Sequence, residues 1–141
     1  MSIPITQHFT VDEFCCHDGT PYPVDWISER LLPLCTALEF LRGDLGGRAI
    51  TILSGYRSPA HNAAVGGAQR SQHMEGRAAD ITVDSTAPSD VHAALLRLFE
   101  AGEIEIGGLG LYPSWVHVDV RPRPVNGHLA RWTGTGVGSE Q

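Results

Sequence analysis

The segment from Trp115 to Arg121 constrains the fold more than any other stretch. Its residues alternate without a break: Val116, Val118 and Val120 fall on one side of an extended strand, and Trp115, His117, Asp119 and Arg121 on the other. The valines belong in a core. The opposite face then carries an imidazole, a carboxylate and a guanidinium in a row, roughly 7 Å between successive members. A row of that chemistry is a candidate site.

The rest of the chain supplies partners for such a strand. Ile106 to Tyr112 reads as a second strand joined to it by a turn at Pro113 and Ser114, which makes a β-hairpin. Ala49 to Leu53 and Ala78 to Val83 are β-branched runs and read as two further strands. Between them, residues 54–77 are rich in Gly, Ser, His and Asn and read as one long loop, and loops of that length are usually functional. The apolar spacing of Ile27, Leu31, Leu34, Leu38, Leu41 and Leu45 predicts an amphipathic helix. Pro33 conflicts with its interior, so the regular part starts near Pro33, and Gly43, Gly46 and Gly47 end it. Pro88 to Ala101, with Val91, Leu95, Leu98 and Phe99 on one face, predicts a second helix ended by Gly102. A turn capped by Thr10 carries Phe9, Val11 and Phe14, and with the loop through Gly19, Pro21 and Pro23 it reads as a lid or clasp outside the core. This mixture predicts an α+β domain: a mainly antiparallel sheet with helices on one face. One domain over 1–133 and a flexible glycine-rich tail over 134–141 are expected, and no internal repeat is visible.

Composition narrows the partners. The chain has 141 residues, 42% hydrophobic and 18% charged, values of a globular domain rather than a disordered one. Its net charge is −6 and its ten basic residues are all arginines with no common face, which argues against nucleic-acid binding through phosphate neutralisation. Arg121, Arg123 and Arg131 come nearest to a basic patch. No apolar run reaches the roughly 18 residues of a membrane span, and residues 1–9 lack the pattern of a secretory signal. A soluble monomer made in the cytoplasm is expected. Cys15, Cys16 and Cys35 form an odd set with two neighbours, so they read as reduced. Cys15, Cys16 and His17 suggest a second zinc site, but adjacent cysteines rarely chelate one tetrahedral ion and no partner pair lies elsewhere in the sequence, so they read as structural or surface residues.

A second group of polar residues lies at the end of the long loop. His73 precedes Asp80 by seven residues, and the two converge only if the loop folds back, for which Gly76 supplies the freedom. Zinc accepts imidazole nitrogen and carboxylate oxygen, and a catalytic zinc keeps three protein ligands and a water. His73, Asp80 and His117 fill that count. From spacing alone each histidine reads more readily as a surface or hydrogen-bonded residue than as a ligand.

The ordered motifs carry a resemblance. Ser54-Gly55-Tyr56-Arg57-Ser58, His61-Asn62, Val65-Gly66-Gly67-Ala68, then Ser71-x-His73-x-x-Gly76-x-Ala78-Ala79-Asp80, and finally Gly108-x-Gly110-x-Tyr112-Pro113 leading to His117-Val118-Asp119, resemble the D-Ala-D-Ala metallopeptidase family from Phe9 to about Trp132. That family includes D-alanyl-D-alanine carboxypeptidases, murein endopeptidases and phage endolysins, and shares its zinc-site fold with lysostaphin-type peptidases and the hedgehog domain. The resemblance implies one zinc ion per chain on His73, Asp80 and His117. It implies Arg57 as the cation that anchors a substrate carboxylate or the developing oxyanion, and Ser71 as a substrate contact. Many relatives place a carboxylate three residues before the third ligand, where this chain has Ser114, so Asp119 is taken as the general base in its stead, its other reading being a carboxylate that orients a ligand histidine or Arg57, with Glu75 and His61 as weaker candidates. The implied activity is zinc-dependent hydrolysis of a peptide bond in peptidoglycan stem peptides or cross-links, next to a D-amino acid, of the murein endopeptidase or endolysin type. A D-alanyl-D-alanine carboxypeptidase is the alternative, and a non-catalytic zinc-binding domain is the alternative of another class. A phage lysin or virion protein would reach the wall without ordinary secretion.

Overall fold

The two-sided strand lies in the middle of a five-stranded sheet. A computed structural model of the chain describes residues 3–124 and 127–135. Two short strands, β1 (Pro4–Thr6) and β2 (Phe9–Thr10), pair with each other near the start. After helix α1 (Leu32–Asp44) come β3 (Ile50–Ser54), a short helix α2 (Pro59–Ala64), β4 (Ala78–Val83) and helix α3 (Pro88–Glu100). The chain closes with β5 (Gly108–Leu111), β6 (Val116–Asp119) and β7 (Ala130–Thr133). The sheet order is β3-β4-β6-β5-β7, antiparallel except where β5 and β7 run parallel. This is the expected α+β architecture with a mainly antiparallel sheet.

One face of the sheet is apolar because every second residue is. Ala79, Ile81 and Val83 of β4, Val116 and Val118 of β6 and Leu109 of β5 join a single core with Leu34, Leu38 and Leu41 of α1 and Val91, Leu95 and Leu98 of α3. The two long helices pack on each other, and α3 lies across β4, β5 and β6. Each fully buried side chain of this size contributes about 1.5–3 kcal/mol of transfer free energy. Positions 80, 117 and 119 fall on the opposite face, so the pattern that builds the core also sets the polar residues together.

Four local readings change. The Thr10 turn is real, with the Glu13 carboxylate accepting from the Thr10 N–H at 2.8 Å, but it is no lid: Phe9, Val11 and Phe14 are buried in the core. The backbone of Phe14 presses on Gly55, where an added Cβ would come within 2.7 Å of the Phe14 Cα. The stretch 54–77 is not one loop, because Ser58 accepts a hydrogen bond from His61 N–H at 3.1 Å and starts α2 with Pro59 in its first turn. A six-residue helix is too short to write a periodic signal. The spacing from Ile27 passes through a π-helical turn, Ile27–Leu31, before α1 begins, and Pro33 sits in the first turn of α1 where its missing N–H costs nothing. Finally, β7 has no alternation that marks it in the sequence; pairing with β5 makes it a strand. The tail expected over 134–141 lies outside the described residues beyond residue 135.

Candidate metal centre

Strand register brings two of the three expected ligands side by side. Asp80 of β4 pairs directly with His117 of β6, and both point away from the helices. His73 arrives from the loop before β4, which folds back through Gly76 at φ 68°, a backbone that L residues rarely adopt. The turn is held from outside: the Tyr22 hydroxyl donates to the Gly76 carbonyl at 2.6 Å, and a Cβ at Gly76 would press on the Trp26 and Tyr22 rings. It is held from inside by Ser71, whose hydroxyl accepts from the His73 N–H at 3.1 Å.

One ligand-type atom from each of His73, Asp80 and His117 lies within 4.8 Å of the others, and all three side chains are buried. His73 Nε2 stands 3.2 Å and His117 Nδ1 3.1 Å from the same oxygen, Asp80 Oδ1. The far nitrogens decide what those atoms are. His73 Nδ1 faces the Gly55 carbonyl at 2.7 Å, an acceptor only, so it carries the proton. His117 Nε2 faces Asp119 Oδ2 at 2.7 Å and carries the proton for the same reason. Two imidazole lone pairs and a carboxylate oxygen therefore converge on one point. Three acceptor atoms gathered so closely repel one another, and adding a proton to each ring would bury two further charges. A single cation satisfies all three, and a nitrogen, nitrogen, oxygen set suits zinc. The residues present thus fit the metal that the resemblance implies.

Asp119 and Ser71 are placed otherwise than expected. A general base needs a free oxygen near the metal, but Asp119 is fully buried against the far nitrogen of His117. Its oxygens also take Arg121 Nε at 2.9 Å, Arg121 Nη2 at 2.6 Å and the Arg121 N–H at 3.0 Å. Burial alone would push this carboxyl up, yet the hydrogen bonds from His117 and Arg121 and their charges outweigh it and hold it well below the ordinary carboxylate range. In this position the carboxylate holds the tautomer of His117. Ser71, the expected substrate contact, is wholly buried with its hydroxyl turned to the His73 amide. Of the weaker candidates, Glu75 is exposed and pairs with Arg30 and Arg77, both at 3.4 Å, and His61 lies half-buried on α2.

Arg57 lies at the edge of the centre. Its Nη2 reaches Asp80 Oδ2 at 3.5 Å, while Nε contacts Ser54 Oγ and Nη1 contacts Asn62 Oδ1, each at 3.3 Å. The Arg57 N–H donates to the His73 carbonyl at 3.0 Å, which ties the two functional segments together. Arg121, already in the row on the last strand, clamps Asp119. Trp132 of β7, which leans on the His117 ring at a centroid distance of 5.0 Å, escaped the sequence reading. The signal for it was Gly110 on β5, where a Cβ would strike the Trp132 indole, as one on Gly108 would strike the Asp119 carboxylate. Glycine inside a strand marks such close approaches.

Residues 7–119 match the model of the peptidase M15 family. The chain belongs to the M15 peptidase family. The match runs from before β2 to the end of β6 and so contains His73, Asp80 and His117 together with Asp119. Within that family the chain is similar to the zinc D-Ala-D-Ala carboxypeptidase of Streptomyces albus G, 44% identical over 48 residues. That stretch covers 34% of this chain and 19% of the relative, so the chain matches only a small part of the relative's length. An M15 peptidase acts on peptides, and the relative's name says that it is a zinc enzyme.

Proposed function

We propose that this M15 peptidase hydrolyses a peptide bond next to a D-amino acid in peptidoglycan, with one zinc ion on His73, Asp80 and His117. The observation that carries this reading is the convergence of three buried lone-pair donors whose opposite atoms are all fixed. Zinc, when bound, supplies Lewis acidity toward the scissile carbonyl and acidifies water. The chain's own residues do the rest. Gly55 and Asp119 hold the two imidazoles in the tautomers that aim a lone pair inward. Arg121 keeps Asp119 charged, and so keeps the His117 proton on Nε2. Arg57, fixed by Ser54 and Asn62, is the cation that takes a substrate carboxylate or the charge growing on the carbonyl oxygen. Removing one such fixed donor costs about 10²–10³ in kcat.

The finer reading is an endopeptidase that opens cross-links, as phage lysins do; the alternative is a carboxypeptidase acting on D-Ala-D-Ala, as the name of the Streptomyces relative states. Incubating the protein with purified muropeptides, followed by mass spectrometry with and without a chelator, tests both. Cleaved cross-links support the first and loss of a terminal D-Ala the second. No chelator-sensitive product from any muropeptide would overturn the proposal and leave a zinc-binding domain without turnover.

A further inference from the structure

A second group of ligand-type side chains gathers away from the sheet centre, on the loop that follows the Thr10 turn. Cys16, Asp18 and His61 each offer an atom within 4.8 Å of the others. Two segments far apart in sequence supply them. Gly19, at φ 93°, reverses the chain so that the Gly19 N–H reaches the Cys16 carbonyl at 3.1 Å and the Cys16 N–H the Thr20 carbonyl at 3.0 Å. That turn sets Cys16 and Asp18, two residues apart, beside the first turn of α2, where His61 sits.

Ser58 organises the cluster. Its hydroxyl donates to Asp18 Oδ2 at 2.6 Å and accepts from the His61 N–H at 3.1 Å, and its own N–H donates to Cys16 Sγ at 3.4 Å. One residue therefore contacts all three candidates. The Ser58 N–H thus fixes the direction in which the sulfur points. Asp18 Oδ1 also accepts from the Thr20 N–H at 2.9 Å, so both carboxylate oxygens are oriented by the turn. The Cys16 side chain is buried, whereas Asp18 is exposed and His61 half-buried, so the cluster opens to solvent on one side and an ion can enter. The His17 ring stands edge-on to His61 at a centroid distance of 5.9 Å, close to that open side.

We propose that Cys16, Asp18 and His61 form a second, sulfur-bearing metal site that takes zinc or a similar borderline-soft dication. Thiolate with imidazole disfavours calcium and magnesium, which take oxygen ligands, and selects zinc. A dication also cancels the thiolate and carboxylate charges in a chain whose net charge is −6. The ion ties the Cys16 loop to the start of α2. Arg57 precedes Ser58 directly, so the same ion steadies the backbone that carries the Arg57 guanidinium to Asp80. It is a positioning site. Adjacent cysteines concealed it in the sequence: Cys15 does not take part, and the partners come from positions 18 and 61.

Cobalt substitution tests this, because the central trio contains no sulfur. The full chain, stripped by chelator and titrated with Co²⁺, is expected to bind two equivalents, one of them with an intense near-ultraviolet sulfur-to-cobalt charge-transfer band. Cys16→Ser is expected to abolish that band and one equivalent, and His73→Ala to remove the other equivalent with the band intact. If Cys16→Ser does not fold, His61→Ala, at a half-exposed helix position, is expected to weaken the sulfur-bearing site by about tenfold or more. A single equivalent without a sulfur band, a band that survives Cys16→Ser, or an unchanged titration of His61→Ala would each overturn the proposal.

Discussion

The two faces of the central sheet are built from the same strands and obey opposite rules. On the helix side Ile81, Leu109, Val116 and Val118 are buried among other apolar side chains, and any shape that fills the space serves. On the other side Asp80, His117 and Asp119 are almost as buried, but there each polar atom is fixed in direction, the Asp119 oxygens by His117 and Arg121 and the inward atoms of Asp80 and His117 toward one point. The first face is held by area, the second by direction. A one-residue slip of β6 against β4 would exchange them, so the apolar face guarantees the register that sets Asp80 opposite His117.

Substitutions on the two faces should separate stability from chemistry. The largest effect is expected from Asp80→Ala, which should leave no metal at the central trio and no measurable hydrolysis while circular dichroism still reports a folded chain; retained turnover would show that the trio is not the centre. Next, Leu109→Ala should cost about 2–5 kcal/mol in urea denaturation, with the metal stoichiometry unchanged. Loss of metal from the folded Leu109→Ala protein would mean that the faces are not independent. Asp119→Asn should weaken metal binding by about 10–100-fold in competition with a chromophoric chelator, at nearly constant stability, because the amide can present a donor to His117 Nε2 and invert its tautomer. If metal affinity is intact and only kcat collapses, Asp119 handles protons directly. The smallest change belongs to Ser71→Ala, which deprives the His73 N–H of its acceptor and should lower stability by about 1 kcal/mol, while KM stays constant. A rise in KM would restore Ser71 as a substrate contact.

How much of this was legible in the sequence depended on range. The β6 alternation announced both faces, the β4 run kept its limits at Ala78 and Val83, and α3 ended within a residue of its expected end. Register converts a residue pattern on two strands into a distance for Asp80 and His117, but the trio with His73 was named by the resemblance of the ordered motifs, not by spacing. What was not legible came from contacts without local periodicity. Short α2 is fixed by the Ser58 cap and β7 by its pairing with β5, and neither carries a repeat of its own. The sequence left Asp119 between two roles because a strand pattern says which face a carboxylate shares, not which nitrogen of the neighbouring ring it meets. Phe9 and Phe14 read as a lid because their turn lies far from the sheet in sequence, yet their rings meet edge-on at 6.2 Å inside the core.

The order in which the chain delivers its parts has a consequence for assembly. His73 and Asp80 are synthesised early, His117 follows more than thirty residues after Asp80, and Trp132, which backs His117, comes last on a strand that pairs with β5 in parallel. Contacts of such long sequence separation form late, since each must first close a loop. A ribosome-bound chain that has not yet exposed β6 therefore presents two ligands at most. On the proposed reading, metal capture is a final event that ratifies a completed sheet, and it would stabilise the native state over every partly folded one.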